Sequence, residues 1–159
     1  MQIPWRRVSN WFCSACGRCC NEYIVPLRTY EYLKLKSTGF VEERYGKFYI
    51  KKINGRCPFQ IENICILQGK YKPLACKLYP FQIKKKGDEL AEFEYKGEVF
   101  YVYVDVSVCP NIRIGRAGEN MRRLVAEAVQ LYIGEKMDVE YITAKLGKSV
   151  SVLSMRRSG

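Results

Sequence analysis

Four cysteines within eight residues, Cys13-Ser14-Ala15-Cys16-Gly17-Arg18-Cys19-Cys20, constrain this chain more than any other feature. Two residues between successive cysteines let a loop curl so that Cys13, Cys16 and Cys19 turn toward one point, as metal-binding loops do. Gly17 suits such a curl because it tolerates positive φ. Cys20 stands apart. Side chains of adjacent residues in an extended chain point to opposite sides, so Cys19 and Cys20 are expected to serve different centres.

Cys57, Cys65, Cys76 and Cys109 bring the total to eight thiols, and the chain has no histidine. That is enough for two four-thiolate sites. Soft sulfur ligands without imidazole select zinc or an iron–sulfur cluster, not magnesium or calcium, which take oxygen ligands. A disulfide framework is the competing use of eight cysteines. It is disfavoured in a reducing compartment, and the N-terminus lacks the apolar core of a secretory signal.

The order of these residues resembles a known family. Cys-x2-Cys-x2-Cys-Cys is followed by Cys57-Pro58-Phe59, by Cys65-Ile66, and by Lys72-Pro73-x2-Cys76-x2-Tyr79-Pro80-Phe81. This pattern is similar to the CxxCxxCC cysteine-cluster family of zinc- or iron-chelating domains. Cys109-Pro110, with Ile114 and Gly115 after it, resembles the segment that often closes the domain. The resemblance spans about residues 11 to 116. Lys72 stands where arginine is more usual, and Asn111 where glycine is usual; neither change removes a thiol. The resemblance implies metal held by Cys13, Cys16, Cys19, Cys20, Cys57, Cys65, Cys76 and Cys109, either as an iron–sulfur cluster of the 4Fe–4S type or as zinc. Some members resemble flagellin lysine methylases. For those the implied chemistry extends to S-adenosylmethionine-dependent methyl transfer to protein lysine, an analogy from the fold and not a deduction from the residues.

At 159 residues and 48% hydrophobic content the chain is long and apolar enough for one folded domain. The longest apolar run, Val99 to Val104, is far too short to span a bilayer, so a cytoplasmic protein with no membrane association is expected. The formal charge is +11. A zinc ion on four thiolates is a −2 unit, so two such sites would leave about +7. Basic residues fall at Arg6-Arg7, Lys51-Lys52, Lys84-Lys85-Lys86, Arg122-Arg123 and Arg156-Arg157. A solvated surface explains them in the first instance, and attraction to RNA, a ribonucleoprotein or an acidic protein is the sharper reading.

Periodicity predicts an α+β fold: a small antiparallel sheet with C-terminal helices and a cysteine-rich metal-binding region. Trp5, Trp11 and Phe12 are expected to lie over the cysteine loop and exclude water. Thr29 is expected to cap a helix running to about Thr38 that ends at Gly39 and buries Tyr32, Leu33 and Leu35. Residues 47 to 53 alternate as a strand, and Asn54-Gly55 marks a turn into Cys57. A hairpin with Glu62-Asn63 at its tip is expected between Cys57 and Cys65. Pro73 opens a helical turn that presents Cys76, and Pro80 stops it. Residues 79 to 85, 89 to 95 and 98 to 107 read as a three-strand meander. Its last strand sends Phe100, Val102, Val104 and Val106 to the core and Tyr101, Tyr103 and Asp105 to the other face. Met121, Leu124, Val125, Ala128, Leu131 and Tyr132 form one helical stripe, with Arg122, Arg123, Glu127 and Gln130 opposite. A second helix is expected from Asp138 to Leu146. Residues 1 to 147 are expected to form one domain, with 148 to 159 as a flexible tail.

Without histidine, neither a Ser-His-Asp nor a Cys-His arrangement is available. No phosphate-binding glycine loop is present. Carboxylates such as Glu22, Glu62 and Asp105 are scattered, and nothing in their spacing selects them. Two functions remain: a metal-binding protein whose cluster is structural, redox-active or supportive of methyl transfer, and a zinc-stabilised basic module that binds RNA or an acidic partner.

Overall fold

The computed structural model describes residues 1–13, 18–61, 64–67, 72–137, 139 and 142. The chain begins as β1 (Gln2–Pro4), makes a 3-10 turn at Trp5–Arg7 and continues as β2 (Val8–Asn10). A short helix α1 (Arg18–Glu22) carries Cys19 and Cys20, and β3 (Pro26–Leu27) leads to α2 (Thr29–Leu35). The hairpin β4 (Val41–Arg44) and β5 (Lys47–Ile50) turns at Tyr45-Gly46, both with positive φ. Next come the two-residue strands β6 (Gln60–Ile61) and β7 (Ile64–Cys65), then α3 (Leu74–Leu78). The rest is β8 (Phe81–Lys84), β9 (Glu92–Tyr95), β10 (Glu98–Asp105), β11 (Arg113–Ile114) and α4 (Glu119–Tyr132). Antiparallel sheets with helices give the expected α+β architecture. Among the described residues no helix is long and apolar enough to cross a membrane.

All three strands expected between Tyr79 and Ser107 are present, but their spatial order is not sequential. β10 stands in the middle: β8 pairs with Tyr101–Val104 on one edge, while β9 and β1 share the other, opposite Glu98–Tyr101 and Tyr103–Asp105 respectively. The cause is local. The Lys96-Gly97 turn closes β9 tightly onto β10, whereas a 3-10 turn at Glu89–Ala91 carries the chain across from β8 instead of folding it back as a hairpin.

The two-residue alternation of β10 holds as expected: Phe100, Val102 and Val104 are buried and packed with α4, Trp5, Trp11 and Phe81 in the main core. Met121, Leu124, Val125, Ala128 and Leu131 supply the helix side, as the 3.6-residue stripe predicts. A second core gathers Val25, Leu27, Leu35, Ile50, Cys57 and Phe59 between the β3-β5-β4 sheet and α2. Asn54-Gly55 makes its turn, with both residues at positive φ inside the Ile53–Arg56 bridge.

Several expectations change. Leu33 is 62% exposed, and the buried partner of Leu35 one helical turn earlier is Glu31. Arg28, not Thr29, occupies the cap of α2, where its amide donates to Glu31 Oε1 at 2.8 Å. Glu127 was placed on the solvent face but is 1% exposed; it accepts from the Ile142 amide at 3.2 Å and faces the Lys136 ammonium at 3.4 Å. The chain after α4 folds back over this helix and covers what would otherwise be its outer face. The helix expected at 138 to 146 lies outside the described residues except for Val139 and Ile142, which are buried, and the tail from 148 lies wholly outside them.

Candidate metal centre

Three cysteines from distant parts of the chain approach one group of side chains. Cys19 sits on α1, one turn before Tyr23, whose amide donates to the Cys19 carbonyl at 3.0 Å. Cys76 lies on α3, three residues before Tyr79. The Tyr23 and Tyr79 rings meet with centroids 4.9 Å apart, which brings the ends of α1 and α3 together. The Tyr79 hydroxyl donates to Asp105 Oδ2 at 3.4 Å, and Asp105 ends β10, four residues before Cys109. The paired phenols and the carboxylate therefore join the segments that carry Cys19, Cys76 and Cys109.

The electrostatics agree with that placement. Burial pushes the Tyr23 phenol up to about 12, and the nearby charges of Cys76 and Asp105 add to it. Tyr79 is raised well above the usual phenol range by burial first, then by Asp105, Cys19 and Cys109. Burial opposes the charge on Asp105, but the Ser107 hydroxyl and amide outweigh it, and its carboxyl stays below the usual range. Both phenols thus remain protonated and able to donate, and Asp105 remains an anion that orients Tyr79.

Trp11 adds a shielding wall. Its indole Nε1 donates to Cys109 Sγ at 3.0 Å, and its ring meets Phe81 edge-on at 5.8 Å. Of the three N-terminal aromatics expected to cover the cysteines, Trp11 does so by this contact. Trp5 instead lies in the main core against Phe93, with its indole N–H on the Glu92 carbonyl, and Phe12 is 52% exposed. Apolar spacing could not separate the three, because their roles depend on the pairing of β1 with β10 and of β2 with β11, strands from distant parts of the chain.

The other cysteines are placed as follows. Cys13 follows β2 and packs, like Cys109, against the main core. Cys57 is buried in the second core, against which Cys76 also packs. Cys65 ends β7 opposite Gln60, with Sγ 3.3 Å from the Leu67 carbonyl. Cys13, Cys19, Cys57, Cys65, Cys76 and Cys109 are thiols, not disulfide halves. Cys16, the side chain of Cys20, and the Glu62-Asn63 tip lie outside the described residues. Cys19 and Cys20 both lie on the α1 helix, not in extended chain. Among the described residues no three Cys, Asp or Glu side chains stand close enough together to hold an ion.

The chemistry of the site nevertheless fits a thiophilic ion. The donors are sulfur, the surroundings are aromatic, and two buried lysines, Lys72 and Lys77, flank Cys76 in the chain. Asn21 on α1 carries a buried Oδ1 that has no hydrogen-bond partner among the described residues. Such an orphaned acceptor is one that a bound ion's shell can satisfy. Asn21, Tyr23, Tyr79, Asp105 and Glu31 were not selected by sequence reasoning; for Asp105 the signal was its place on the non-core face of the strand leading to Cys109.

An α+β fold in which Tyr23, Tyr79 and Asp105 join the segments carrying Cys19, Cys76 and Cys109 suits the class of metal-chelating proteins. The CxxCxxCC family model, described as "Putative zinc- or iron-chelating domain", matches residues 12–98, and the chain belongs to that family. Neither curated proteins nor solved structures give a match.

Proposed function

We propose that the cysteines hold an iron–sulfur cluster, with Cys19, Cys76 and Cys109 as ligands grouped around Tyr23, Tyr79 and Asp105. Cys13, Cys16, Cys20, Cys57 and Cys65 complete the thiol set. The observation that carries this reading is the convergence of three separate segments on the Tyr23–Tyr79–Asp105 group. Iron is favoured over zinc by the Trp11 N–H on Cys109 Sγ and by the aromatic surroundings, since hydrogen bonds to sulfur and limited solvent access are what tune a cluster. When bound, such a cluster supplies one-electron chemistry. The protein's own part is to hold the thiols, to keep Tyr79 protonated and oriented on Asp105, and to exclude water with Trp11.

Cys16→Ser should lose metal, whereas Lys85→Ala should keep it. Cys19→Ser and Cys20→Ser should lose different fractions if they serve different centres. Equal metal in wild type and the Cys16 variant would reject the assignment. Lysine methyl transfer would require in addition a site for S-adenosylmethionine, which calorimetric titration of metal-loaded protein would detect.

A further inference from the structure

Arg6-Arg7 and Arg122, far apart in sequence, come together in the fold with two further arginines. The Arg6 and Arg122 guanidinium carbons lie 5.0 and 5.5 Å from the centroid of the same Trp5 ring. The Arg7 carbonyl accepts from the Gly115 amide at 2.9 Å and the Arg6 carbonyl from the Ala117 amide at 3.3 Å, which sets Arg116 alongside both. Arg113 stands opposite Asn10 in the β2–β11 pair, and the Asn120 side chain on α4 donates to the Asn10 side chain at 2.6 Å. One end of the molecule, around the amino end of α4, therefore carries Arg6, Arg7, Arg113, Arg116 and Arg122.

These charges are not neutralised within the fold. Among the described residues none of the five forms an ion pair, although Glu89 and Glu119 lie in adjoining segments. Arg6 donates to the Glu89 main-chain carbonyl at 2.9 Å, not to its carboxylate. Arg7, Arg113, Arg116 and Arg122 are exposed. Segments 6–7 and 113–122 also fall outside residues 12–98, which the family match covers.

We propose that this arginine surface binds the phosphate backbone of RNA without reading its sequence. Guanidinium groups present forked donors that match phosphate oxygens. Several of them on one face suit a polyanion that meets them together. Trp5 and Val8 beneath the patch are fully buried, so the Trp5 ring is not offered as a platform for base stacking. Ile114 is the exposed apolar side chain among the arginines, which is too little to enter a membrane or to seat an apolar peptide anchor.

The test is fluorescence anisotropy of the metal-loaded full chain with a labelled RNA duplex of about 20 base pairs over a series of salt concentrations. Wild type should bind with an affinity that falls steeply with salt, and scrambling the sequence should leave it unchanged. R7Q/R113Q/R116Q should bind at least about tenfold more weakly near 0.1 M salt, with the log–log salt slope reduced by roughly 2 to 3. Lys85→Gln/Lys86→Gln, which removes charge elsewhere, should change the slope by less than about 1. The single exposed variant R116E tests the same point if the triple variant does not fold, and it too should weaken binding. No RNA binding by wild type at low salt would overturn the proposal. So would equal losses in the arginine and lysine variants, or preferential binding to phosphatidylserine vesicles or polyglutamate.

Discussion

Replacing Glu31 with glutamine tests how the second core positions Cys76. Glu31 is 6% exposed; its Oε1 accepts the Arg28 amide at 2.8 Å and its Oε2 the Leu74 amide at 2.7 Å. The two bonds tie the first turn of α2 to the first turn of α3, two residues before Cys76. A hydrogen bond to a charged acceptor contributes about 1.5–3 kcal/mol, and a neutral one about 1 kcal/mol. Glutamine keeps one acceptor but turns an NH2 group toward the other amide, so one charged bond is lost, one becomes neutral and a buried N–H is left unsatisfied. The expected cost is about 2–4 kcal/mol. For a chain of this size each kcal/mol lowers the melting temperature by about 2–4 °C, so the expected fall is about 5–15 °C. Thermal unfolding followed by circular dichroism, with metal content determined on the same samples, measures both stability and retention of the centre. A fall of less than about 1 °C with full metal content would refute the claim that this carboxylate holds α3 in place.

Further outcomes follow from individual contacts. Trp11→Phe keeps the edge contact with Phe81 but removes the N–H on Cys109, so metal content should hold while the midpoint potential of the centre falls; an unchanged potential in a voltammetric titration would show that the bond has no electronic role. Glu135 is held below the usual carboxyl range by the Tyr95 hydroxyl first and by Lys96 second. Its contribution to stability is therefore present above the unfolded carboxyl range and is lost as pH falls through the lower folded value. In Lys96→Met an NMR titration should find the Glu135 carboxyl closer to its ordinary value, and no movement would count against the pairing. A methyl group at Gly87 would meet the Tyr103 hydroxyl and its Cε2, the latter at 3.0 Å, so Gly87→Ala should cost about 1–2 kcal/mol by crowding. Most of that cost should vanish in a Tyr103→Phe background, and additive effects in denaturant titrations would contradict the contact.

The strongest periodicities carried the fold. The alternation of Phe100, Val102 and Val104 and the α4 stripe from Met121 to Leu131 each had one buried face, and the structure packs those faces together. Turn chemistry was equally legible at Asn54-Gly55 and Lys96-Gly97, where positive φ is required. What escaped depended on contacts between distant segments. Nothing local shows that Glu127 will be covered by returning chain, or that Glu31 will meet the amide of Leu74. The strand order departs from the sequence at the 3-10 turn Glu89–Ala91, which carries the chain from β8 on one edge of β10 to β9 on the other, and no residue pattern marks that crossing. Spacing proposes the cysteines as a set, and the family match supports metal binding. The approach of the Cys19, Cys76 and Cys109 segments at Tyr23, Tyr79 and Asp105 needed three elements to meet, and no single stretch encodes that meeting.

Iron and acid-labile sulfide content, with an absorption spectrum, on protein purified without oxygen tests the central claim most directly. The proposed centre requires iron and sulfide in equal amounts, about four of each per cluster, with a broad visible absorbance. Stoichiometric zinc without sulfide would contradict the iron–sulfur assignment and leave the thiols as a structural zinc site.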